Sequence, residues 1–508
     1  MKLALLGVGN AGTRLVDALL AAGTESTRPF TADNVVAFNT TPAAFAETDQ
    51  LADERQVVVG DTHPEVVQPA DPDNENGDSD NGVDEADESE ESDDRREGVA
   101  GDPELGVEAA RDDLPEIRRA LDMIDDTEVD AAMIVGGLGG GTGCGVGGVL
   151  LEELKAIYEI PVYVLGVLPT DDESDRRAWT AARAVRTFVP LADAVFPVDN
   201  ETWLAASGDE EYDAVNREIA TRVVSLFGAG ERETAALSEL RMDPNDLRRT
   251  LAVGGLATVG YAETQLDDVS EGWFTRLRRL LGFDVPAPEP QTDAVTIKQL
   301  VKRAVGSKLT LPCDVETADR VLLVLSGPPK ELSRKGFETG RYLLEEETGT
   351  VEILAGDEPL PEADRITATL LLSNVTGVPR IETLQERAVD YQREHGLSTA
   401  ADDGDEQPAA DQSGNNDRLE TDHGFDFQDD ELIEGGADTE TGMDDQEGAD
   451  DVDDDDDADG ETINADREMI DPDSETIDAD DDDSSGDETV DAETEATEDN
   501  PETEPQEQ

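Results

Sequence analysis

The sequence is short of basic and aromatic residues and has no long apolar run. Its 508 residues include 38 Lys and Arg against 125 Asp and Glu, so the formal net charge is -87. That charge excludes nucleic acid and anionic membranes as main partners, because both would be repelled. No apolar run reaches the ~18 residues of a membrane-spanning helix, and the N-terminus reads as a strand and not as a signal peptide. We therefore expect a cytoplasmic protein without a transmembrane segment.

Cysteine is almost absent. Cys144 and Cys313 are the two cysteines of the chain, and they lie far apart in the sequence. This spacing argues against a disulfide framework and against a zinc site built from cysteines.

The acidic residues are spread along the whole chain. From residue 401 onwards 47 Asp and Glu stand beside two Arg, and the first 400 residues still carry 78 acids and 36 bases. A folded surface with this imbalance repels itself in ordinary buffer, but molar salt shortens the Debye length to about 3 Å. The composition therefore indicates a protein of an extreme halophile.

The order of predicted elements is that of an α/β protein. Residues 1–60 alternate strand, turn, helix and strand, and similar alternation resumes near residue 101. Residues 61–98 and the end of the chain are acidic and poor in apolar side chains, so we expect them to be disordered. The predicted division is a Rossmann-like domain over 1–210, a central helix over 211–240, a smaller α/β domain over 241–390 and an acidic tail over 391–508.

A glycine-rich stretch from Gly136 to Gly145 is the most informative segment. It lies between a predicted buried strand and a predicted helix that begins at Val146. Glycines let backbone N–H groups at a helix N-terminus come close to phosphate oxygens, and Thr142 adds a hydroxyl donor. No lysine follows, so this is not the loop of P-loop NTPases. The stretch predicts a phosphate site that includes Gly140, Gly141, Thr142 and Gly143.

A second glycine motif, Gly7-Val8-Gly9-Asn10-Ala11-Gly12, follows the first strand. The pattern Gly-x-Gly-x-x-Gly is typical of dinucleotide-binding domains, so an NAD-dependent oxidoreductase is a remote alternative. The next strand ends in Phe38-Asn39-Thr40-Thr41 and offers no acid for a ribose hydroxyl. The three histidines, His63, His395 and His423, lie in or beside low-complexity or terminal segments, which argues against a catalytic histidine.

The order Gly-Gly-Gly-Thr-Gly-x-Gly at 139–145 resembles the signature of the tubulin and FtsZ superfamily. The opening motif, the Phe-Asn-Thr loop and the segment from Gly101 to Gly106 are most similar to the archaeal CetZ group. The resemblance implies a tubulin/FtsZ-like fold and a GTPase that uses GTP with Mg²⁺ and polymerises head to tail. It also implies a cytoskeletal role in haloarchaeal cell shape, with related tubulin-like paralogues as further partners.

The same resemblance implies roles for individual residues. The first turn would hold the nucleotide phosphates, Glu173 the ribose, and Arg177 a sugar or phosphate group, although an ordinary salt-bridged helix start explains Arg177 equally well. Tyr212 would stack on the guanine. The residues implied for nucleotide binding are Gly9, Asn10, Ala11, Gly12, Thr13, Arg14, Gly140, Gly141, Thr142, Gly143, Glu173, Arg177, Asn200, Tyr212 and Asn216, and none is assigned as a metal ligand.

The segment Arg241-Met242-Asp243-Pro244-Asn245-Asp246 resembles the superfamily's Asn-x-Asp-x-x-Asp loop. The resemblance implies that Asp243 and Asp246 enter the γ-phosphate site of the next subunit. Anywhere else in a sequence, this pattern would be a turn and a helix cap. Because Thr13, Cys144 and Arg241 depart from the family pattern, a regulator that binds nucleotide without hydrolysing it remains an alternative. The segment from Asn374 to Arg380 is expected at a subunit interface.

Overall fold

A computed structural model describes residues 1–31, 33–46, 48–66, 97–207, 212–231, 242–266 and 294–396. Most of the predicted acidic insertion, and all of the tail after residue 396, lie outside the described residues. Within them, no helix combines the length and the low charge needed to cross a bilayer.

A six-stranded parallel sheet forms the N-terminal part. Its strands are β1 (Leu3–Val8), β2 (Val35–Asn39), β3 (Gln56–Val58), β4 (Ala131–Gly137), β5 (Val162–Leu168) and β6 (Ala194–Asp199), in the order β3-β2-β1-β4-β5-β6. Strands β1, β4 and β6 bury nearly every residue, as parallel strands with both faces covered by helices do. Because β1 lies beside β4, the glycine-rich turns that follow these strands meet at the carboxyl edge of the sheet.

Helices connect and cover the strands. In chain order they are α1 (Gly9–Ser26), α2 (Pro103–Asp112), α3 (Leu114–Leu121), α4 (Gly141–Ile157), α5 (Asp175–Leu191), α6 (Asn200–Ser207), α7 (Tyr212–Phe227), α8 (Pro244–Leu251), α9 (Ala294–Val305), α10 (Arg334–Thr348) and α11 (Pro379–His395). Short 3-10 turns occupy Pro42–Phe45, Asp53–Arg55 and Val315–Thr317.

A four-stranded mixed sheet forms the C-terminal part. Its strands are β7 (Ala257–Gln265), β8 (Arg320–Gly327), β9 (Ile353–Pro359) and β10 (Arg365–Ser373), in the order β7-β10-β8-β9. Strand β10 is antiparallel to β7 and β8, whereas β8 and β9 are parallel. Helix α7 joins the two sheets, because Val223 and Phe227 share one buried cluster with Phe196 of the first sheet and Leu371 of the second.

Several element bounds differ from the sequence prediction. Helix α4 begins at Gly141 and not at Val146, because glycines let its first turn pack closely on α2: a Cβ at Gly141 would lie 2.5 Å from the Asp102 carbonyl oxygen. Helix α7 ends at Phe227 and does not continue to residue 240, since a turn follows with Gly230 at a φ of 82°.

The predicted disordered segments are also shorter at their described ends. Residues 61–66 and 97–98 belong to the folded part, where Val66 packs in a small buried cluster with Val99. Helix α11 runs to His395, past the predicted start of the tail at 391, and Tyr391 packs on Trp179 with ring centroids 5.6 Å apart. Apolar and aromatic side chains in these stretches find partners that the local composition does not reveal.

Candidate functional site

Two helix N-termini point to the carboxyl edge of the parallel sheet. Helix α1 begins at Gly9, directly after β1, and α4 begins at Gly141, shortly after β4. Neither helix has a side-chain cap, and neither carries an acid in its first turn. The first-turn N–H groups therefore keep their hydrogen-bonding capacity for a ligand, and the helix dipoles favour an anion.

The two glycine-rich turns touch each other. Gly9 has a φ of 70°, and a Cβ there would lie 3.3 Å from the backbone nitrogen of Gly143. A Cβ on Gly143 itself would lie 2.3 Å from the Gly137 carbonyl oxygen, so this position has no room for a side chain. The structure thus brings the predicted residues Gly9 to Gly12 and Gly140 to Gly143 into one cradle lined by backbone.

Polar side chains from β2 border the cradle. The Thr142 and Thr40 hydroxyl oxygens are 2.9 Å apart, and Asn39 donates to the Asn10 side-chain oxygen at 3.1 Å. The loop after β2 therefore holds both glycine turns in register. The Phe-Asn-Thr loop is one of the motifs noted in the sequence, but the contact between Thr40 and Thr142 depends on the pairing of β1 with both β2 and β4.

The structure gives Thr13 and Arg14 opposite surroundings. Thr13 is completely buried, and its hydroxyl has no hydrogen-bond partner in the part of the chain that the structure describes. Its side chain therefore faces the interior of the protein. Arg14 is exposed on α1, next to the turn.

Glu173, Arg177 and Tyr212 lie together beyond the ends of β5 and β6. Glu173 accepts a hydrogen bond from the Thr170 backbone nitrogen at 2.9 Å and forms an ion pair with Arg177. Burial raises the pKa of Tyr212, the Glu173 carboxylate raises it further, and Arg177 opposes the shift. A Cβ on Gly139 would lie 3.3 Å from the Arg177 Cβ, so this cluster borders the glycine loop.

The two candidate asparagines lie on neighbouring helices. Asn200 is the first residue of α6 and is 8% exposed. Asn216 is half-buried on α7, one helical turn after Tyr212, so these two side chains share a helix face.

Asp243 and Asp246 form a capping box at the start of α8. Asp243 accepts a hydrogen bond from the Asn245 backbone nitrogen at 2.8 Å, and Asp246 accepts one from the Asp243 backbone nitrogen at 3.2 Å. Helix α8 lies at the amino edge of the parallel sheet, because Arg248 bonds the carbonyl of Asp130, the residue before β4. The structure therefore does not bring the two acids to the glycine cradle of the same chain.

Cys144, which departs from the pattern that the sequence resembles, has a structural role. Its thiol is fully buried and donates to the Leu138 carbonyl oxygen at 2.8 Å, across the glycine loop. Burial raises the pKa of Cys144 far above its ordinary value, so the thiol stays protonated. Cys144 therefore supplies a hydrogen-bond donor that links the first turn of α4 to Leu138 of the glycine loop.

The sequence did not reveal the arginines that surround the site. Arg380, in the segment expected at a subunit interface, is 8% exposed and donates to Asp199 of the same chain at 2.9 Å. Arg183 binds Glu104 of α2 at 2.7 Å. The burial of these arginines cannot be read from the sequence, because their partners are distant in the chain. Glu104 is 79 residues from Arg183, and Asp199 is 181 residues from Arg380.

The described histidines are engaged away from the cradle. His63 lies 3.6 Å from an Asp112 carboxylate oxygen, and His395 stacks on Tyr391 with ring centroids 4.1 Å apart. His423 lies outside the described residues. These contacts give no support to the oxidoreductase alternative.

The cradle suits a phosphate group to which a metal ion is already bound. Among the described residues, no group of three or more His, Cys, Asp or Glu is placed to hold a metal ion. Mg²⁺ is commonly bound through one or two protein ligands together with substrate phosphates. A backbone cradle without room for side chains, as at Gly143, fits this mode.

The chain is similar to known proteins over both parts of the fold. Residues 2–208 match the model of the Tubulin/FtsZ family GTPase domain, and residues 206–390 match that of the tubulin-like CetZ C-terminal domain. Tubulin-like protein CetZ1 of Haloferax volcanii is 38% identical over 397 residues, which is 77% of this chain and 93% of that protein.

Solved structures extend this similarity. The GDP-bound monomer of CetZ1 from Haloferax volcanii aligns with a TM-score of 0.61 at 35% identity and covers 77% of this chain and 100% of its own. The GTPγS-bound protofilament of CetZ2 from the same organism aligns with a TM-score of 0.62 at 31% identity, over 78% of this chain and 100% of that one. The tubulin/FtsZ-like fold is thereby confirmed, and the chain belongs to the tubulin-like CetZ family.

Proposed function

We propose that this protein is a cytoskeletal GTPase that binds GTP in the glycine cradle, assembles head to tail with copies of itself, and hydrolyses the nucleotide where two copies meet. Family membership supports the activity, and CetZ1 and CetZ2 have been solved with GDP and GTPγS respectively, the latter as a protofilament.

One observation carries the proposal: the cradle and the pair of acids lie at opposite edges of the same sheet. The cradle follows the carboxyl ends of β1 and β4, whereas Arg248 anchors α8 at the residue before β4. Strand β4 has seven residues, and a strand rises about 3.3 Å per residue, so roughly 20 Å separates the two edges. Asp246 therefore cannot serve its own cradle. A second copy stacked head to tail would place its acids there.

The clustered polar residues suit a guanine nucleotide. In this proposal the first-turn amides and the Gly140 to Gly143 loop bind the phosphates, and Glu173 binds the ribose. The amides of Asn200 and Asn216 pair with the guanine edge, while Tyr212 stacks on the base. Tyr212 is 43% exposed, so its side chain is accessible to a ligand.

The two acids act on water. In the assembled interface, the carboxylates of Asp243 and Asp246 orient the attacking water and accept its proton as charge develops on the γ-phosphate. The Gly140 to Gly143 loop would hold Mg²⁺ together with the nucleotide phosphates, and the ion would supply positive charge against their negative charge.

The capping box favours one alternative. Because both acids already stabilise the first turn of α8, their presence is explained without catalysis. On that explanation the protein binds GTP and regulates filaments of related tubulin-like proteins without hydrolysis.

The test is GTP turnover per molecule as protein concentration rises, in molar KCl, for the native protein and for Asp246→Asn. Asparagine keeps the hydrogen bond to the Asp243 backbone but removes the charge. We expect turnover per molecule to rise with concentration in the native protein and to fall about 100-fold or more in the variant, with GTP affinity unchanged.

The matched control is Asp314→Asn, since Asp314 also caps a turn, accepting from the Glu316 backbone nitrogen at 3.1 Å. Its turnover should equal that of the native protein. A flat, negligible native rate with GTP bound would support the regulator instead, and a protein that binds no GTP would refute both.

Other parts of the proposal concern the cell and the chain. We infer a cytoplasmic location and a role in haloarchaeal cell shape, supported by the acidic composition and the Haloferax relatives. Paralogues of this family are proposed as further partners.

We retain 1–210 and 241–390 as proposed domain bounds, with the joining helix shortened to Tyr212–Phe227.

A further inference from the structure

Helix α11, the last described element, reaches back to the nucleotide side of the protein. Two of its arginines, Arg380 and Arg387, are seven residues apart, which is two helical turns, so they project from one face. That face lies against α5 and the loop that precedes it, residues 169–174. The loop carries Glu173, the proposed ribose ligand.

Arg380 connects the start of this loop to the end of strand β6. It donates from Nε to Asp199 at 2.9 Å and from Nη2 to the Pro169 carbonyl at 2.6 Å, and it also bonds Asp171. Arg380 is 8% exposed and Asp199 is 2% exposed, so the charges are matched out of water. Asp199 immediately precedes Asn200, the proposed guanine ligand.

Arg387 holds the middle of the loop. Its Nη2 donates to the Glu173 carbonyl oxygen at 2.9 Å and to Asp175 at 2.7 Å, and its Nε donates to Asp175 at 3.0 Å. The Nη1 atom lies 3.3 Å from Asp171. The planar fork of a guanidinium permits this set of bonds, which the point charge of a lysine does not reproduce.

Apolar and aromatic side chains, and not the two arginines, hold α11 against α5. Tyr391 packs on Trp179 of α5, and Leu384 and Ala388 are completely buried on the same helix. Loss of Arg387, which is 20% exposed, therefore leaves α11 in place and removes the restraint on the loop.

We propose that Arg380 and Arg387 are positioning residues for the nucleotide: by clamping residues 169–175 and Asp199 from α11, they hold Glu173 and Asn200 in the arrangement that binds ribose and guanine. This inference rests on the proposed function, because it assumes a guanine nucleotide in the cradle. It adds that the C-terminal part of the fold sets nucleotide affinity within a single chain, apart from any subunit contact.

The experiment measures the affinity and dissociation rate of a fluorescent GDP analogue for the full chain, in molar KCl and at protein concentrations below those of assembly. Arg387→Gln should weaken affinity about tenfold, mainly through faster dissociation, since charge-assisted hydrogen bonds contribute on that scale. Arg387→Lys should recover only part of the loss. In GTP turnover, KM should rise by a similar factor while the maximal rate stays within about twofold of native.

The matched control is Arg334→Gln on α10, because Arg334 forms an exposed ion pair with Glu338, one helical turn away, at 3.3 Å. Asp175→Asn gives a second approach: it should reproduce part of the defect, and combining it with Arg387→Gln should add little. Arg380→Gln is less informative, because it leaves the buried Asp199 without its cation and risks misfolding.

Native affinity and dissociation rate in Arg387→Gln would overturn the inference while leaving the proposed function intact. A native protein that binds no guanine nucleotide would instead overturn the proposed function and the inference together. A fall in maximal rate with unchanged GDP affinity would also contradict positioning.

Discussion

At the scale of single residues, close packing around glycine shapes the proposed phosphate site. A Cβ on Gly143 would lie 2.3 Å from the Gly137 carbonyl oxygen, which no relaxation of a flexible side chain can relieve because the neighbour is backbone. Four residues later on the same helix, a Cβ on Gly147 would meet its nearest neighbour, a methyl carbon of Ile134, at 3.9 Å. Of these two glycines of one helix, Gly147 therefore has room for a methyl side chain and Gly143 does not.

We expect Gly143→Ala to weaken GTP binding by about tenfold or more, because overpacking costs about 1–3 kcal/mol and here displaces the loop. Gly147→Ala should bind GTP as the native protein does and gain up to about 1 kcal/mol of helix stability. Equilibrium binding of a fluorescent GTP analogue, with thermal unfolding as a check on the fold, compares the two variants. Equal affinity in both would show that the loop tolerates a side chain.

At the scale of elements, α8 begins with a capping box whose acids are also the proposed catalytic groups. Asp243 satisfies backbone N–H groups of the first turn, and Asp246 returns a bond to the Asp243 backbone. Capping needs only an acceptor oxygen, whereas orienting and deprotonating water needs a charge. Substitution by asparagine or alanine therefore separates the two roles.

Asp243→Ala should lower the stability of the protein by about 1 kcal/mol, as loss of an N-cap does, while Asp243→Asn should change it by a few tenths at most. Both variants should lose GTP turnover, because both lack the carboxylate. Unfolding midpoints in molar KCl and turnover at saturating GTP provide the two readouts. Native turnover in Asp243→Asn would restrict this residue to capping.

At the scale of the whole molecule, the separation of the cradle from the acids means that a single chain is incomplete in the proposed mechanism. The two edges belong to one rigid sheet, so no loop movement brings Asp246 to its own Gly143. In that mechanism, each contact between copies needs one intact cradle and one intact pair of acids, from different chains. The chain's net charge of -87 opposes such contacts unless molar salt screens it.

At a GTP concentration far below saturation, where the weakened cradle of Gly143→Ala binds little nucleotide, Asp246→Asn and Gly143→Ala should consequently restore each other's turnover. In an equal mixture of Asp246→Asn and Gly143→Ala, about a quarter of random head-to-tail contacts join an intact cradle to intact acids. GTP turnover in the mixture should exceed the sum of the two separate rates. A mixture no more active than its components would mean that hydrolysis does not cross the interface.

The sequence by itself determined the α/β fold class, the position of the glycine-rich loop between a strand and a helix, and the family to which the chain belongs. These are local properties: buried strands, glycine turns and helices follow from the order of neighbouring residues. Element ends were less well predicted, because Gly141 is helical through contact with α2 and Tyr391 is folded through contact with Trp179. The roles assigned to single residues of the nucleotide site stay predictions.

Only the tertiary structure decided how distant residues share charge and hydrogen bonds. Arg380 is held by Asp199, 181 residues away, and Arg387 by the Glu173 carbonyl, 214 residues away. A buried guanidinium is stable only where several acceptors converge on it, and that convergence comes from the packing of α11 on α5. The parallel sheet separates the acids of α8 from the cradle, because the length of β4 lies between them.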